Sequence, residues 1–249
     1  MQDLIGLFDS GVGGISVLHT VHQLLPHENL LYYGDNRNAP YGTRSLEQIR
    51  ALCEQGIGLL LERGVKAIVI ACNTATSAYA EILRANVDLP VIGMEPAVKP
   101  AQLARHGGEI LVLATRATLS LPKFKRLMSQ WGTNVTPIVG EGLVELVESG
   151  MANTPQADRA LERLLAPYRD RQIDSIVLGC THYPFLEKSV RKVFPDAAIF
   201  DGREGTALQL KHLLEQRGLL SDDAPGTVEI HTSGGSDTLM LMQRLLNML

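Results

Sequence analysis

One octet of this 249-residue sequence occurs twice in similar form, and it constrains the fold more than any other feature. The first copy, Ala-Ile-Val-Ile-Ala-Cys-Asn-Thr, spans residues 67–74, and the second, Ser-Ile-Val-Leu-Gly-Cys-Thr-His, spans 175–182. Their cysteines, Cys72 and Cys180, lie 108 positions apart (180 minus 72). Buried parallel strands are generally rich in Val and Ile, so the octet alone is weak evidence. The strand order around it also matches, which favours an internal duplication.

Short apolar, β-branched runs recur along the chain, each followed by a polar or glycine-containing turn and a helical pattern. They predict nine strands, near residues 4–8, 30–34, 66–71, 90–93, 109–114, 134–139, 174–179, 197–200 and 227–232. Strands that alternate with helices indicate parallel α/β sheets. We therefore expect two similar, doubly wound lobes related by pseudo-symmetry, with a ligand cleft between them. The first lobe would span 1–96 and be completed by 206–249, whereas the second would span 97–205.

Two helices carry clear boundary signals. Ser45 and Gln48 form a capping box that predicts a helix start, and Gly64 predicts its end. The stripe Leu46, Ile49, Cys53, Ile57 and Leu60 then lies on one face of that helix. Thr154 before Pro155 predicts a second helix start.

Composition excludes several classes of protein. The formal charge of −4 argues against a nucleic-acid-binding surface. The Met1-Gln2-Asp3 start lacks the features of a signal peptide, and no apolar run approaches the roughly 18 residues of a membrane helix. Three scattered cysteines do not form a disulfide framework. We therefore expect a cytoplasmic protein with reduced thiols and no membrane or nucleic-acid partner.

Polar residues follow several of the predicted strands. In open α/β sheets, ligands bind beyond the carboxyl ends of the strands. The segments at those ends are Asp9-Ser10, Asp35-Asn36, Cys72-Asn73-Thr74 and Cys180-Thr181-His182, after the first, second, third and seventh strands. Their equivalent positions in two lobes predict a cleft with one cysteine on each wall.

Each cysteine also has a plainer interpretation. Cys53 lies within an apolar stripe and is expected to be a buried structural thiol. Cys72 and Cys180 would be core residues too, but each is followed at once by hydrogen-bonding residues. A disulfide between them is disfavoured in a reducing compartment. A metal site is also disfavoured, because there is no Cys-x-x-Cys and His182 two residues after Cys180 is not a zinc spacing.

The glycine-rich segment 9–14 resembles a nucleotide loop only superficially. A dinucleotide fingerprint that starts at Gly11 needs a third glycine where Ser16 stands. The glycines instead favour a tight turn and the close approach of backbone N–H groups to a carboxylate. Asp9 is either a helix-capping carboxylate or an assisting group, and His182 is either a turn histidine or an acid–base group. The polar segment 34–42 is either a surface loop or a loop that covers a ligand.

Four segments together resemble the glutamate racemases over nearly the whole chain. They are Phe8-Asp9-Ser10-Gly11-Val12-Gly13-Gly14, Gly34-Asp35 with Pro40-Tyr41-Gly42, Ala71-Cys72-Asn73-Thr74-Ala75 and Leu178-Gly179-Cys180-Thr181-His182-Tyr183-Pro184. The resemblance implies two α/β lobes with the active site between them, and no metal, pyridoxal phosphate or other cofactor. It implies interconversion of L- and D-glutamate, supplying D-glutamate for peptidoglycan, and it leaves a homodimer open.

The resemblance also implies roles for individual residues. Cys72 and Cys180 would transfer the protons, Asp9 and His182 would assist them, and the family's second-lobe glutamate would fall on Glu148. Further contacts to substrate, or support for the thiols, would come from Asp9, Ser10, Tyr41, Gly42, Asn73, Thr74, Thr181 and His182. The chain departs from the family pattern at Leu121, at Phe124 and at Gly140-Glu141, where Ser, Tyr and Cys-Pro are common.

Two thiols suit racemisation for a geometric reason. One α-proton must leave one face of the substrate and another must arrive at the opposite face, which a single fixed base cannot easily reach. The alternatives are an aspartate racemase or another cofactor-independent racemase or isomerase of the same superfamily, a Cys-dependent hydrolase, and a binding protein without catalysis. A hydrolase needs only one nucleophile, which leaves the second cysteine motif unexplained.

Overall fold

Two parallel sheets form the framework of the computed structural model, which describes residues 3–221 and 224–249. The described residues form nine strands: β1 (Leu4–Asp9), β2 (Asn29–Gly34), β3 (Ala67–Ile70), β4 (Val91–Gly93), β5 (Glu109–Ala114), β6 (Val135–Val139), β7 (Ile173–Leu178), β8 (Ala198–Asp201) and β9 (Val228–Thr232). All nine match strands that the sequence predicts, with ends that differ by at most one residue.

Eleven α-helices are formed by the same residues: α1 (Ile15–Leu24), α2 (Leu46–Glu62), α3 (Asn73–Asn86), α4 (Val98–Leu103), α5 (Arg116–Ser120), α6 (Pro122–Trp131), α7 (Leu143–Glu148), α8 (Pro155–Leu165), α9 (Glu187–Val193), α10 (Arg203–Gln216) and α11 (Ser236–Leu246). Both predicted helix starts are confirmed. The Ser45–Gln48 capping box is formed, and α2 ends just before Gly64, whose φ of 68° is a left-handed conformation suited to glycine. Pro155 is the first residue of α8.

The two sheets repeat one topology. The first has the order β4-β3-β1-β2-β9, and the second has the order β6-β5-β7-β8. If β5 to β8 are matched in turn to β1 to β4, the second order read backwards is β4-β3-β1-β2. The strand order thus supports the predicted pseudo-symmetry, and β9, which pairs with β2, lies outside the repeat.

Helices cover both faces of each sheet. Alternate residues of β1 point to opposite sides, so Ile5 and Leu7 pack into one core cluster and Leu4 and Phe8 into another. In the second sheet Leu111 belongs to the same cluster as Ile5, whereas Ile110 lies in a third cluster. One hydrophobic cluster therefore contains residues of both sheets.

The chain returns to the first sheet near its end. Helix α10 packs against α1, β3 and β4, and α11 packs against α1 and β9. The lobe boundaries 1–96, 206–249 and 97–205 stay a prediction. Two short segments of the first lobe, residues 1–2 and 222–223, lie outside the described residues. The expectation that the chain starts without a signal peptide falls on the first of them. No helix in the described ranges is long and apolar enough to cross a membrane.

Candidate active site

A small pocket lies where the carboxyl ends of the strands in both sheets meet. Its volume of about 20 Å³ is room for roughly one water molecule, so the cleft is nearly closed. The pocket is lined by Ser10, Ala39, Pro40, Tyr41, Gly42, Cys72, Asn73, Thr74, Thr115, Thr118, Val144, Cys180, Thr181 and His182. One cysteine follows β3 and the other follows β7, so the two sulfur-bearing residues come from different lobes.

The first wall holds Cys72 in an apolar setting. Cys72 is the N-cap of α3, and its Sγ accepts hydrogen bonds from Ala75 N and from Ser10 Oγ, both at 3.4 Å. Burial raises the pKa of the Cys72 thiol to about 12, and the nearby Asp9 carboxylate adds to the rise. The surroundings of Cys72 therefore favour the protonated thiol.

Asp9 lies behind this wall and is fully buried. Its carboxylate accepts hydrogen bonds from Gly11 N at 2.9 Å and from Thr181 Oγ1 at 3.1 Å. Burial raises the pKa of Asp9 to about 6, although His182 and these two hydrogen bonds oppose the rise. Asp9 is thus a buried carboxyl that titrates close to neutral pH and touches residues of both lobes.

The second wall pairs Cys180 with an imidazole. His182 Nδ1 lies 3.7 Å from Cys180 Sγ, and His182 Nε2 lies 2.7 Å from Glu148 Oε1. Burial alone would lower the pKa of His182, but its hydrogen bonds to Cys180 and Glu148 raise the pKa well above the usual value. These contacts favour the protonated imidazole, and a cation beside a cysteine sulfur stabilises negative charge on that sulfur.

Glu148 connects this wall to the first lobe. Its Oε1 also accepts a hydrogen bond from Val12 N at 2.8 Å, and its Oε2 accepts one from Asn36 Nδ2 at 3.0 Å. Burial raises the pKa of Glu148, but the hydrogen bonds and charge of His182, Val12 and Asn36 outweigh it and lower the pKa. An ionised carboxylate from α7 is thus held by donors from both lobes.

Two glycines make this contact between the lobes sterically feasible. A Cβ at Gly11 would overlap the Glu148 carboxylate, and a Cβ at Gly13 would overlap the His182 ring. The sequence predicts that glycines here let backbone N–H groups approach a carboxylate. In the structure the carboxylate in contact with Val12 N belongs to Glu148 of the protein itself.

The residues singled out in the sequence fall into two groups. Those that line the pocket, besides the cysteines, are Ser10, Tyr41, Gly42, Asn73, Thr74, Thr181 and His182. Asp9 and Glu148 lie behind the lining and act on it through Thr181 and His182. Asp35 follows β2 but is not part of the lining, because its Oδ2 accepts the Tyr41 hydroxyl at 2.7 Å. Asp35 therefore supports Tyr41.

The sequence interpretation did not single out three lining residues of the second lobe, which are Thr115, Thr118 and Val144. The hydroxyls of Thr115 and Thr118 form a triangle with that of Thr74, with sides of 3.0 to 3.2 Å. Thr115 directly follows β5, so the strand-end rule applied to the fifth strand would have found it. Val144 lies in α7, and no spacing signal in the sequence distinguishes it from core residues.

The departures from the family pattern lie outside the lining. Phe124 is buried in the core cluster between α4, α6 and the second sheet, and Leu121 precedes α6. Gly140 accepts a hydrogen bond from the Tyr183 hydroxyl at 3.1 Å, and a Cβ there would overlap that hydroxyl. Glu141 forms an exposed ion pair with Arg116. None of these residues therefore contributes directly to either cysteine wall.

In the described part of the chain, no three His, Cys, Asp or Glu side chains are grouped so as to hold a metal ion. What the site offers is one thiol in an apolar setting and a second beside an imidazole whose pKa is raised. Between them lie hydroxyl, amide and backbone groups able to bind a small polar molecule. This arrangement suits proton transfer on two sides of one substrate atom.

Comparisons with known proteins agree on one family. Residues 12–208 match the model of the family described as Asp/Glu/Hydantoin racemase. A glutamate racemase from Clostridium botulinum (strain Okra) is 44% identical over 249 residues, which cover 98% of this chain and 97% of that protein. The crystal structure of a Bacillus anthracis glutamate racemase superposes with a TM-score of 0.89 at 31% identity, covering 99% of this chain and 94% of that one. The crystal structure of the Francisella tularensis glutamate racemase in complex with D-glutamate superposes with a TM-score of 0.84 at 27% identity. The superposition covers 98% of this chain and 93% of that one.

Proposed function

This chain belongs to the Asp/Glu/Hydantoin racemase family, and we propose that it is a glutamate racemase that works through two thiols. It would interconvert L- and D-glutamate by moving a proton on and off the α-carbon, without a cofactor. The names of its near-full-length relatives support the substrate, and the complex of the Francisella tularensis enzyme with D-glutamate supports a small-molecule ligand.

The observation that carries the two-thiol mechanism is the placement of the cysteines. Cys72 and Cys180 follow equivalent strands of two lobes with the same topology, and both line one pocket. An amino acid bound between them would present one face of its α-carbon to each sulfur. Such an arrangement supplies a base on one side and an acid on the other.

In the direction from L- to D-glutamate, Cys180 would act as the base. Its thiolate, stabilised by the His182 imidazolium, takes the proton as the Cα–H bond breaks. The electron pair passes into the α-carboxylate, and the Cys72 thiol then donates its proton to the opposite face of the same carbon. In the reverse direction Cys72 is the base and Cys180 is the acid.

Asp9 would assist on the side of Cys72, but in a different way from His182, because a nearby carboxylate raises the pKa of the Cys72 thiol instead of stabilising its thiolate. The Asp9 carboxyl titrates near pH 6, so it can take up or release a proton under physiological conditions. The substrate ammonium would also favour a thiolate on Cys72 by placing a positive charge in a buried, weakly screened site.

Substrate would be held by the polar lining. Asn73 Oδ1 is buried and has no hydrogen-bond partner in the described part of the protein, and an acceptor of this kind suits the ammonium group. The hydroxyls of Thr74 and Thr181 and the Asn73 amide are donors suited to the carboxylates. A site built for the distal carboxylate should discriminate strongly against aspartate and glutamine. Comparable efficiency on aspartate and glutamate would favour the broader racemase alternative.

The proposal extends to the role of the enzyme in the cell. We place it in the cytoplasm, with lobes at 1–96 plus 206–249 and 97–205, supplying D-glutamate for peptidoglycan. Expression of the chain in a bacterium that requires D-glutamate should restore growth without the supplement. Continued dependence on D-glutamate, with the protein expressed and folded, would contradict this role.

The decisive experiment follows the α-hydrogen in deuterium oxide, without added cofactor and with chelator present. Because the proton removed by one cysteine stays there while the other cysteine delivers a different one, the first product should carry solvent deuterium at the α-carbon. The unreacted enantiomer should stay mostly protiated at low conversion. Proton NMR or mass spectrometry distinguishes the cases, and substantial protium in the product would refute the two-thiol mechanism. Polarimetry in ordinary water tests racemisation separately.

A further inference from the structure

We propose that Asn36 is a positioning residue for proton transfer at Cys180, held by Thr232 so that its amide fixes Glu148 against His182. This inference rests on the proposed racemase activity. Asn36 does not line the pocket, so its effect would pass entirely through other side chains.

The contacts form one continuous chain of hydrogen bonds. Thr232 Oγ1 donates to Asn36 Oδ1 at 2.8 Å, and Asn36 Nδ2 donates to Glu148 Oε2 at 3.0 Å. The other oxygen of that carboxylate lies 2.7 Å from His182 Nε2, and His182 Nδ1 faces Cys180 Sγ at 3.7 Å. The end of β9 is thus linked to the second sulfur through three side chains.

Chemistry at both ends fixes the direction of the Asn36 amide. An ionised carboxylate only accepts hydrogen bonds, so the amide must present its N–H group to Glu148. Its oxygen then faces the Thr232 hydroxyl, which accepts a hydrogen bond from Gly234 N at 2.9 Å and has its own proton free to donate. With the amide reversed, Asn36 Oδ1 would face Glu148 Oε2, and this carboxylate oxygen would lose the hydrogen bond that it accepts from Asn36.

This chain of contacts depends on the part of the first lobe that is not repeated. Thr232 is the last residue of β9, the strand that has no counterpart in the four-stranded second sheet of the described residues. Asn36 follows β2, the strand beside β9, whereas Glu148 lies in α7 of the second lobe. Together with Val12 N, the Asn36 amide holds a carboxylate of the second lobe from the first. We infer that β9 orients an acid–base pair on the opposite wall.

The titratable groups near this contact determine how its loss would be observed. Those that face Glu148 and His182 are Asp9 from β1, Cys180 after β7 and Tyr32 from β2, and Cys72 lies near Asp9. Asp9 titrates near pH 6 and contributes to the acid limb of any pH profile. The test therefore compares variants with the wild type rather than assigning a limb to one group.

Two substitutions at Asn36 distinguish a role as hydrogen-bond donor to Glu148 from a role that only fills space. Asn36→Asp keeps the shape but replaces the donor with a second carboxylate, and it should lower kcat about 100-fold. Asn36→Ala only removes the donor and should lower kcat about 10-fold. KM for glutamate should change little in both. The acid limb of the kcat profile should move to higher pH, because Glu148 loses a donor that stabilises its ionised form. Asn86→Asp, at an exposed site on α3, is the matched control and should keep the wild-type kcat.

A second pair of variants tests the contact from β9. Thr232→Val keeps the shape and removes the hydroxyl, so kcat should fall about 3-fold. Thr232→Ser restores the hydroxyl and should recover most of that loss.

The Asn36 variants decide between the two roles of that residue. If Asn36 only fills space, the isosteric Asn36→Asp should lower kcat less than Asn36→Ala does. That order, or an unmoved acid limb in both Asn36 variants with native circular dichroism, would overturn the proposal.

One measurement is independent of activity. NMR titration of His182, its signal identified from His182→Asn, should give a lower pKa in Asn36→Ala than in the wild type, because a less firmly held carboxylate stabilises the imidazolium less. An unchanged His182 titration would overturn the positioning role. Absence of racemisation by the wild type would instead refute the proposed function and would leave this titration as the test of Asn36.

Discussion

Cys72 and Cys180 occupy equivalent positions in the two lobes, yet the groups around the two sulfurs have little in common. Cys72 caps α3, accepts two long hydrogen bonds from neutral donors and lies near the buried Asp9 carboxyl. Cys180 instead faces an imidazole that is backed by a carboxylate. Burial dominates on the first wall, and a charged pair dominates on the second.

The difference shows what an internal repeat preserves. Both copies keep the strand, the turn and the sulfur at the strand end, because these follow from the backbone. The proton affinity of each sulfur depends on residues from elsewhere, such as Asp9 and Glu148, which do not occupy equivalent positions in the two copies. A duplicated framework can thus place two cysteine sulfurs in unlike electrostatic surroundings on opposite walls of the same pocket.

Removal of either sulfur should have the largest effect, and it should be equal on both walls. Cys72→Ala and Cys180→Ala should each lower racemisation about 10⁴-fold or more, because each supplies one half of a single proton exchange. Chiral chromatography of each enantiomer measures this, with circular dichroism as a check on folding. Near-normal turnover in either variant would break the assignment of both cysteines.

The pH dependence of the free energy of unfolding should reveal the raised pKa of the Asp9 carboxyl, which lies behind the first wall. The pKa of Asp9 is about 6 in the folded protein, whereas an unperturbed Asp has a pKa of 3.8, so between these values the native state binds more protons than the unfolded state. The contribution of Asp9 to stability is therefore complete below pH 3.8 and is lost as pH rises through 6. About two pKa units correspond to about 3 kcal/mol.

Asp9→Asn should accordingly gain stability relative to the wild type as pH rises. The difference between their free energies of unfolding should grow by about 2 kcal/mol from pH 4 to pH 7. Urea unfolding at several pH values measures it. Glu148→Gln should show the opposite trend, because the pKa of Glu148 is lowered and its contribution is lost as pH falls. A pH-independent difference for Asp9→Asn would contradict the raised pKa.

Removal of one polar partner on each wall should affect different kinetic constants. Glu148→Gln removes the charge that holds His182 and should lower kcat about 10- to 100-fold with little change in KM. Ser10→Ala removes a 3.4 Å contact to Cys72 and one residue of the pocket lining, so KM should rise several-fold with a smaller change in kcat. Steady-state kinetics in both directions measures these effects, and identical patterns in the two variants would remove the contrast between the walls.

The third cysteine should have the smallest effect and serves as the reference for the other two. Cys53 is fully buried in α2, where the apolar stripe predicts it, and it is not part of the pocket lining. Cys53→Ala should cost about 1–2 kcal/mol of stability, with turnover preserved. A loss of turnover in a correctly folded Cys53→Ala would mean that loss of activity cannot identify the catalytic thiols.

Much of this site could be predicted from local sequence. Strand ends located Cys72, Cys180 and Asp9, because parallel strands bring their carboxyl ends to one edge. The capping box and the stripe of α2 located Cys53 in the core. The same rule applied to β5 would also have located Thr115.

The contacts between lobes could not be predicted in this way. Glu148 meets Val12 and Asn36 only because two lobes come together, and their relative placement is not encoded in any local period. For the same reason Asp35, which follows a strand like the others, supports Tyr41 instead of lining the pocket. Local patterns indicate which edge of a sheet a residue occupies, whereas packing between sheets decides which residues there face the ligand.

The unequal settings of the two sulfurs have a thermodynamic consequence for a racemase. Enantiomers have the same free energy in water, so kcat/KM must be equal for L- and D-glutamate at every pH, however different the two walls are. The asymmetry can therefore appear only in kcat and KM taken separately. If one enantiomer meets a site already in the required protonation state, any advantage in its turnover is matched by a proportionally higher KM. The two walls thus determine how tightly each enantiomer is held, while the equilibrium between the enantiomers stays the same.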